Sequence, residues 1–284
     1  MPKYDLGGQW QGWTSAAVAD SFYLPDFERE PEYLLSVPGH WQLDPKLATH
    51  QGSVFYRTTF DWQPTLTWPV TRLYIGGAFY QTIVWLNGEL LGSHDGYFTP
   101  MTWEIRPELL QPEGNVLAVR VDCPPPGASW RDIIMGIYGE WDCKPAQVNP
   151  GGVWGPIALL ESFRGYLENL QVDSRLTGWH SAQIRLQANF IWRSVASQVK
   201  ASVKITPRNF VGKGVSQDFS LSVQPGANSL DLRLSLPDPK LWWTWDQGHP
   251  NLYDVDLVMT DEQGSEVDSI RTYMGVRELA WKNW

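Results

Sequence analysis

The sequence predicts an all-β protein made of two successive β-sandwiches, and three observations carry that expectation. Apolar and polar residues alternate with a period of two over many short stretches, as in strands that bury one face. Gly and Pro together are 46 of 284 residues (25 + 21) and interrupt the chain every few positions, which leaves little room for amphipathic helices. The aromatic load is heavy, with 17 Trp, 11 Tyr and 10 Phe, and suits either thick cores between sheets or surfaces that stack flat ligands.

In the first half, Ile83-Val84-Trp85-Leu86 runs into Asn87-Gly88 and then Glu89-Leu90-Leu91. That pattern is a hairpin whose two turn residues need positive φ. Residues 115–121 alternate, with Leu117, Val119 and Val121 on one face and Val116, Ala118 and Arg120 on the other, so a half-buried strand is expected there. Pro107-Glu108-Leu109-Leu110 is the one helix-like piece. Residues 123–156 are rich in Pro and Gly and have no periodicity; long irregular segments in compact domains are often functional. The apolar run Ile157-Ala158-Leu159-Leu160 follows, and a domain boundary is expected near Glu161.

In the second half the alternation sharpens. Ala182, Ile184, Leu186, Ala188 and Phe190 share one face, and Val199, Ala201, Val203 and Ile205 repeat the pattern. Phe219, Leu221 and Val223 follow, then Leu230, Leu232 and Leu234. With 166–172, 252–259 and 267–273 this makes seven short strands separated by turns such as Gln224-Pro225-Gly226, as an immunoglobulin-like sandwich requires. Gly212-Lys213-Gly214 lacks the later Gly and helix start of a phosphate loop and is expected to be a hairpin loop.

Composition narrows the partners. Lys plus Arg is 22 and Asp plus Glu is 31, a net charge of −9, which argues against nucleic acid and against an acidic membrane face. Met1-Pro2-Lys3-Tyr4-Asp5-Leu6-Gly7-Gly8 has no apolar signal core, no stretch approaches 18 apolar residues, and a cytoplasmic location is expected. Cys123 and Cys143 are too few for a disulfide framework or a four-thiolate zinc site. The five His are scattered, so neither a metal nor a cofactor is expected.

Chemistry is sparse. Gly127-Ala128-Ser129-Trp130-Arg131 begins like a nucleophile elbow but ends in Arg where Gly is needed. Glycoside hydrolysis requires two carboxyl groups held about 5–10 Å apart on rigid elements. Glu140 and Asp142, flanking Trp141 in the irregular segment, are the most site-like acids. Trp130, Trp141 and Trp154 are either core residues or stacking surfaces for sugar rings. Trp242, Trp243 and Trp245 are expected to pack between the two domains.

Five motifs in order then resemble a known family. Val37-Pro38-Gly39-His40-Trp41-Gln42, Tyr56-Arg57-Thr58-Thr59-Phe60, and Val84-Trp85-Leu86-Asn87-Gly88 with Gly92-Ser93-His94-Asp95-Gly96-Tyr97 resemble the amino-terminal sugar-binding domain of glycoside hydrolase family 2. Gly151-Gly152-Val153-Trp154-Gly155-Pro156-Ile157 is similar to the glycine-rich strand that closes that domain. Trp242-Trp243, Pro250-Asn251-Leu252-Tyr253 and Gly275-Val276-Arg277-Glu278 are similar to the end of the family's immunoglobulin-like domain.

The resemblance implies a jelly-roll-like β-sandwich over 1–161, an immunoglobulin-like β-sandwich over 162–278, and the start of a linker over 279–284. In this family a catalytic (β/α)₈ barrel follows, with its acid/base Glu in an Asn-Glu pair. No Asn here precedes Glu, and a barrel of about 250 residues is absent. The chain is therefore expected to be the non-catalytic, carbohydrate-binding front of a retaining exo-acting β-glycosidase, inactive alone. Its partners would be carbohydrate, the barrel of the parent chain, and a second copy in a homo-oligomer. The β-mannosidase loop that reaches the barrel's active site resembles Lys144-Pro145-Ala146-Gln147 with Val153-Trp154-Gly155-Pro156. That loop's tryptophan-aspartate-tryptophan is replaced here at Gly152 and Val153. Trp141, Asp142, Lys144, Gln147 and Trp154 are the expected substrate contacts: indoles for stacking, carboxylate and amide for hydroxyls, Lys for positioning. A free-standing carbohydrate-binding protein and an assembly scaffold without sugar binding are the alternatives.

Overall fold

The computed structural model describes residues 3–67, 69–123, 150–178 and 180–278. Within them lie seventeen strands and four single 3₁₀ turns, and no helix is long and apolar enough to cross a membrane. The backbone divides into two compact units with the break between Glu161 and Ser162, while Leu66–Val70 sorts with the second unit.

The first unit contains β1 (Lys3–Asp5), β2 (Gly8–Trp13), β3 (Tyr33–Val37), β4 (Gly52–Phe60), most of β5 (Pro69–Ile75), β6 (Gln81–Leu86), β7 (Glu89–Asp95), β8 (Met101–Ile105), β9 (Asn115–Cys123) and most of β10 (Ile157–Phe163). They form a six-stranded sheet of order β3-β2-β4-β9-β6-β7 and a four-stranded sheet of order β1-β10-β5-β8. Leu73, Ile75, Val84, Leu86, Leu117, Val119 and Ile157 fill the space between the sheets, each at most 1% exposed. This is a β-sandwich, as expected.

The β6–β7 hairpin turns at Asn87 (φ 50°) and Gly88 (φ 86°), the pair of left-handed residues that a right-twisted ribbon favours. Asn87 does more than turn. Its side-chain amide donates to Leu109 O (2.7 Å) and Asn115 Oδ1 (2.9 Å), and its Oδ1 accepts from Val116 N (2.7 Å). The hairpin is thereby tied to the start of β9. Pro107-Glu108-Leu109 forms a single 3₁₀ turn, all that the helix-like piece amounts to.

One expectation fails at β9. The strand is not half-buried: Val116 is 3% and Ala118 0% exposed, like their neighbours on the opposite face. A second, smaller core covers that outer side, built from Trp13, Val18, Phe22, Phe55 and Ala118 with Tyr23, Phe27 and Trp85 packed against it. Period-two alternation reports polar and apolar faces, and here both faces are apolar because the segment between β2 and β3 folds back over the sheet.

The second unit contains β11 (Gly165–Gly178), β12 (Ser181–Trp192), β13 (Ser197–Pro207), β14 (Val215–Val223), β15 (Gly226–Pro237), β16 (Tyr253–Thr260) and β17 (Glu266–Met274). A three-stranded sheet, β11-β12-β15, faces a four-stranded sheet, β14-β13-β16-β17. All seven expected strands form. The apolar face of β12 meets that of β15 in register, Leu186 opposite Leu232 and Ile184 opposite Leu234, and Val203 pairs with Leu257 across β13 and β16. Gly212-Lys213-Gly214 lies in the β13–β14 connection. The Arg277 guanidinium lies over the rings of both Trp242 and Trp243, 5.4 and 5.2 Å from their centroids. Trp245 is 88% exposed, so it takes up no packing role within its unit.

Candidate functional site

At one end of the first sandwich, the connection between β5 and β6 meets the residues just before β10. The backbones at 76–80 and 152–156 run side by side, with Phe79 N donating to Gly152 O (3.0 Å), Gly155 N to Gly77 O (2.9 Å) and Gly76 N to Pro156 O (2.8 Å). The approach is close enough that only glycine fits. A Cβ on Gly155 would lie 2.3 Å from Gly77 N, and one on Gly77 would lie 2.4 Å from the Trp154 ring. The Trp154 indole fills the space that a side chain on Gly77 would take.

Aromatic rings gather around it. Tyr97 meets Trp154 edge-on with centroids 5.6 Å apart, Phe79 meets Tyr97 edge-on at 4.9 Å, and Phe98 lies 4.1 Å from Tyr97 and 6.4 Å from Trp154. Gly96 N donates to Tyr80 O (3.2 Å), which holds the segment after β7 against the cluster. Phe98 is 54% exposed, Trp154 half-buried, and burial pushes the Tyr97 phenol up from its ordinary pKa. Trp154 Nε1 is buried with no hydrogen-bond partner among the described residues. The result is a partly open aromatic surface bordered by glycine backbone, the type of surface against which the apolar C–H face of a flat ring can pack.

The same place anchors both ends of the segment from 124 to 149. Asp122 O accepts from Tyr80 N (3.1 Å) on one side, and Gly152 pairs with Phe79 on the other. Pro150, Gly151 and Val153 are held by His40, Trp41 and Gly39, respectively, with Pro150 O 2.8 Å from His40 Nδ1. Of the five expected site residues, Trp154 alone is described, and it sits within the aromatic cluster. Trp141, Asp142, Lys144 and Gln147 lie outside the described residues, as do Trp130, Glu140 and Cys143. Cys123 is buried at the end of β9. Phe79, Tyr97 and Phe98 were not singled out from the sequence as site residues. The run Gly96-Tyr97-Phe98 after β7, facing another glycine-rich stretch, is the signal that points to them.

The buried carboxylates Glu161, Asp268 and Asp261 accept hydrogen bonds from backbone or hydroxyl donors. Glu161 accepts from Thr65 N (3.0 Å) and its hydroxyl, Asp268 from Leu167 N (2.8 Å) and Ser269 N (2.8 Å), and Asp261 from Gln263 N (3.0 Å) and Ser265 N (2.8 Å). Where carboxyl pKa values move, they fall: a hydrogen bond from Arg185 brings Asp231 down to about 2, and one from Ser202 lowers Asp218. A general acid needs the opposite shift. No three His, Cys, Asp or Glu side chains among the described residues converge on a metal-sized site.

Comparison with known proteins covers both units. Residues 165–277 match the model of glycosyl hydrolases family 2, and residues 20–124 match that of the β-galactosidase second all-beta domain. A β-galactosidase of Bacteroides ovatus is 24% identical over 90% of this chain and 29% of its own length, and one of Priestia megaterium 22% over 93% and 26%. The chain spans about a quarter of the length of the curated relatives it matches. Among solved structures, a β-D-mannosidase from Dictyoglomus thermophilum superposes with a TM-score of 0.77 at 21% identity, over 98% of this chain and 36% of that one. The β-glucuronidase of Bacteroides uniformis gives 0.75 at 17%, over 97% and 32%. With the two models together matching most of the chain and β-galactosidases aligned over 90% or more of it, this chain belongs to glycosyl hydrolases family 2.

Proposed function

We propose that the chain is the non-catalytic front of a retaining, exo-acting β-glycosidase, and that it presents sugar to a catalytic (β/α)₈ barrel elsewhere in the protein. The observation that supports this is the aromatic cluster of Phe79, Tyr97, Phe98 and Trp154, set where the segment 124–149 leaves and rejoins the sandwich. Indole and phenyl faces, that of Trp141 on the segment included, bind the C–H face of a pyranose, while Asp142 and Gln147 on that segment address its hydroxyls and Lys144 positions it. These residues order the substrate, and the barrel's two carboxylates carry out displacement and hydrolysis. The second sandwich serves as scaffold.

Two measurements test the reading. The 284-residue chain should leave 4-nitrophenyl β-glycosides uncleaved, and should raise their turnover when added to the barrel expressed separately; a barrel equally active without it would defeat the claim. Phe98→Ala, at an exposed position, should weaken that stimulation roughly 2- to 10-fold, the range expected for one lost stacking contact.

A further inference from the structure

β3 ends the six-stranded sheet, with β2 on one side and no strand on the other among the described residues. A strand in that position shows a row of N–H and C=O groups to any chain that can pair with them, and natural proteins blunt such edges with charges, prolines or bulges. Seven of the eight edge strands among the described residues follow that rule. Each carries a charged side chain: Lys3 in β1, Asp95 in β7, Glu104 in β8, Asp173 in β11, Asp218 in β14, Asp231 in β15 and Arg271 in β17. β3 is Tyr33-Leu34-Leu35-Ser36-Val37, without charge, proline or glycine, and its register with β2 is unbroken.

Apolar surface lies exposed beside it. Leu34 is 65% and Leu43 74% exposed, and with Leu35, Trp41 and Pro45 they line a groove of about 320 Å³ next to the strand. An unblunted edge flanked by exposed leucine fits strand addition, in which main-chain hydrogen bonds supply affinity and neighbouring side chains supply fit. A second copy of the chain meets both needs. Paired antiparallel about Leu35, two copies set Tyr33 opposite Val37 and Leu34 opposite Ser36, and the two Leu34 side chains become diagonal neighbours within reach of each other. The same arrangement keeps like charges apart. Exposed Glu28, Glu30 and Glu32 of one copy fall beside residues 38–43 of the other, which contain no acid, whereas parallel pairing in register would set the glutamates against their own counterparts. We propose that β3 is a homodimer edge, where two copies join antiparallel through Tyr33–Val37 into one continuous sheet. The contact is isologous and closes at two copies. Five residues per copy make a small interface, so a dissociation constant in the micromolar range is expected. Nothing in this rests on the reading given for the aromatic cluster.

The test is sedimentation velocity of the 284-residue chain over a concentration series, with hydrogen exchange followed at low and high concentration. The chain should pass from monomer to dimer, and amides within Tyr33–Val37 should exchange several-fold more slowly where the dimer dominates. Leu34→Lys places a charge on the edge at an exposed position; it should keep its Tm and weaken the dimer by about tenfold or more. Leu90→Lys, at a leucine 56% exposed on the charged edge β7, should leave the dimer unchanged. Should Leu34→Lys lower the Tm, the exchange of the β3 amides in the unaltered chain decides alone. A monomer at every concentration up to about 1 mM, assembly beyond two copies, a dimer whose β3 amides exchange as fast as the monomer's, or a dimer that survives Leu34→Lys would each overturn the proposal. Equal loss in Leu90→Lys would overturn it too, because the contact would then lie elsewhere.

Discussion

Gly77 and Trp154 form a pair in which one residue exists for the other. The indole occupies the volume that any side chain at 77 would need, with Cζ2 only 2.4 Å from the position of a Gly77 Cβ. Neither can move easily: Trp154 is wedged by Tyr97 and Phe98, and Gly77 O is held by Gly155 N. Gly77→Ala should therefore expel the indole rather than shift the backbone. Overpacking of this kind costs typically 1–3 kcal/mol, and chemical denaturation should show about that loss. Trp154 emission should move to the red, assigned by comparison with Trp154→Phe. An unchanged spectrum with unchanged stability would mean that the contact relaxes without disturbing the cluster.

At the scale of elements, the outer core of the first sandwich depends on Arg57 in β4. Its guanidinium, 5% exposed, donates to Phe22 O (3.1 Å), Leu24 O (2.9 Å) and Pro25 O (3.2 Å), and its charge is disfavoured by burial and favoured by Asp26. These bonds hold the segment between β2 and β3 over β9, where Phe22 meets Phe55 and Trp85. Arg57→Ala should cost about 2–4 kcal/mol, since hydrogen bonds from a charged donor contribute roughly 1.5–3 kcal/mol and their loss strands buried carbonyls. Hydrogen exchange should accelerate first in Trp13, Val116 and Ala118, while the exchange of β12 and β13 stays slow. This element also marks the limit of what a linear reading reveals. The alternation of β12, β13 and β15 is legible because one face of each meets solvent, and the β6–β7 turn is legible because Asn87-Gly88 is a local demand for positive φ. The covering of β9 is not local. It is set by an arginine at 57 reaching carbonyls at 22–25, and no periodicity within 115–121 records it. The aromatic cluster is partly legible for the same reason. Trp154 stands out inside a glycine-rich run, whereas Tyr97 and Phe98 acquire their role only when the β7–β8 connection is brought beside Phe79.

For the whole molecule, each of the two units closes a core from its own residues. The core of the second unit draws on residues from Leu167 to Val276, and Leu66–Val70, which sorts with that unit, contributes none of its core members. Its largest fully buried side chains include Trp192, Tyr253 and Phe190. Seven strands of eight or more residues, paired throughout in antiparallel register, bury enough apolar surface for a domain of ordinary size to fold unaided. A fragment of residues 162–278 should then unfold in one cooperative transition, with an enthalpy near 60 °C of roughly 80 kcal/mol for a segment of that length. Calorimetry measures it directly, with Trp192 emission as the local probe of the core. A broad, non-cooperative melt would show that residues outside 162–278 are needed to complete the fold.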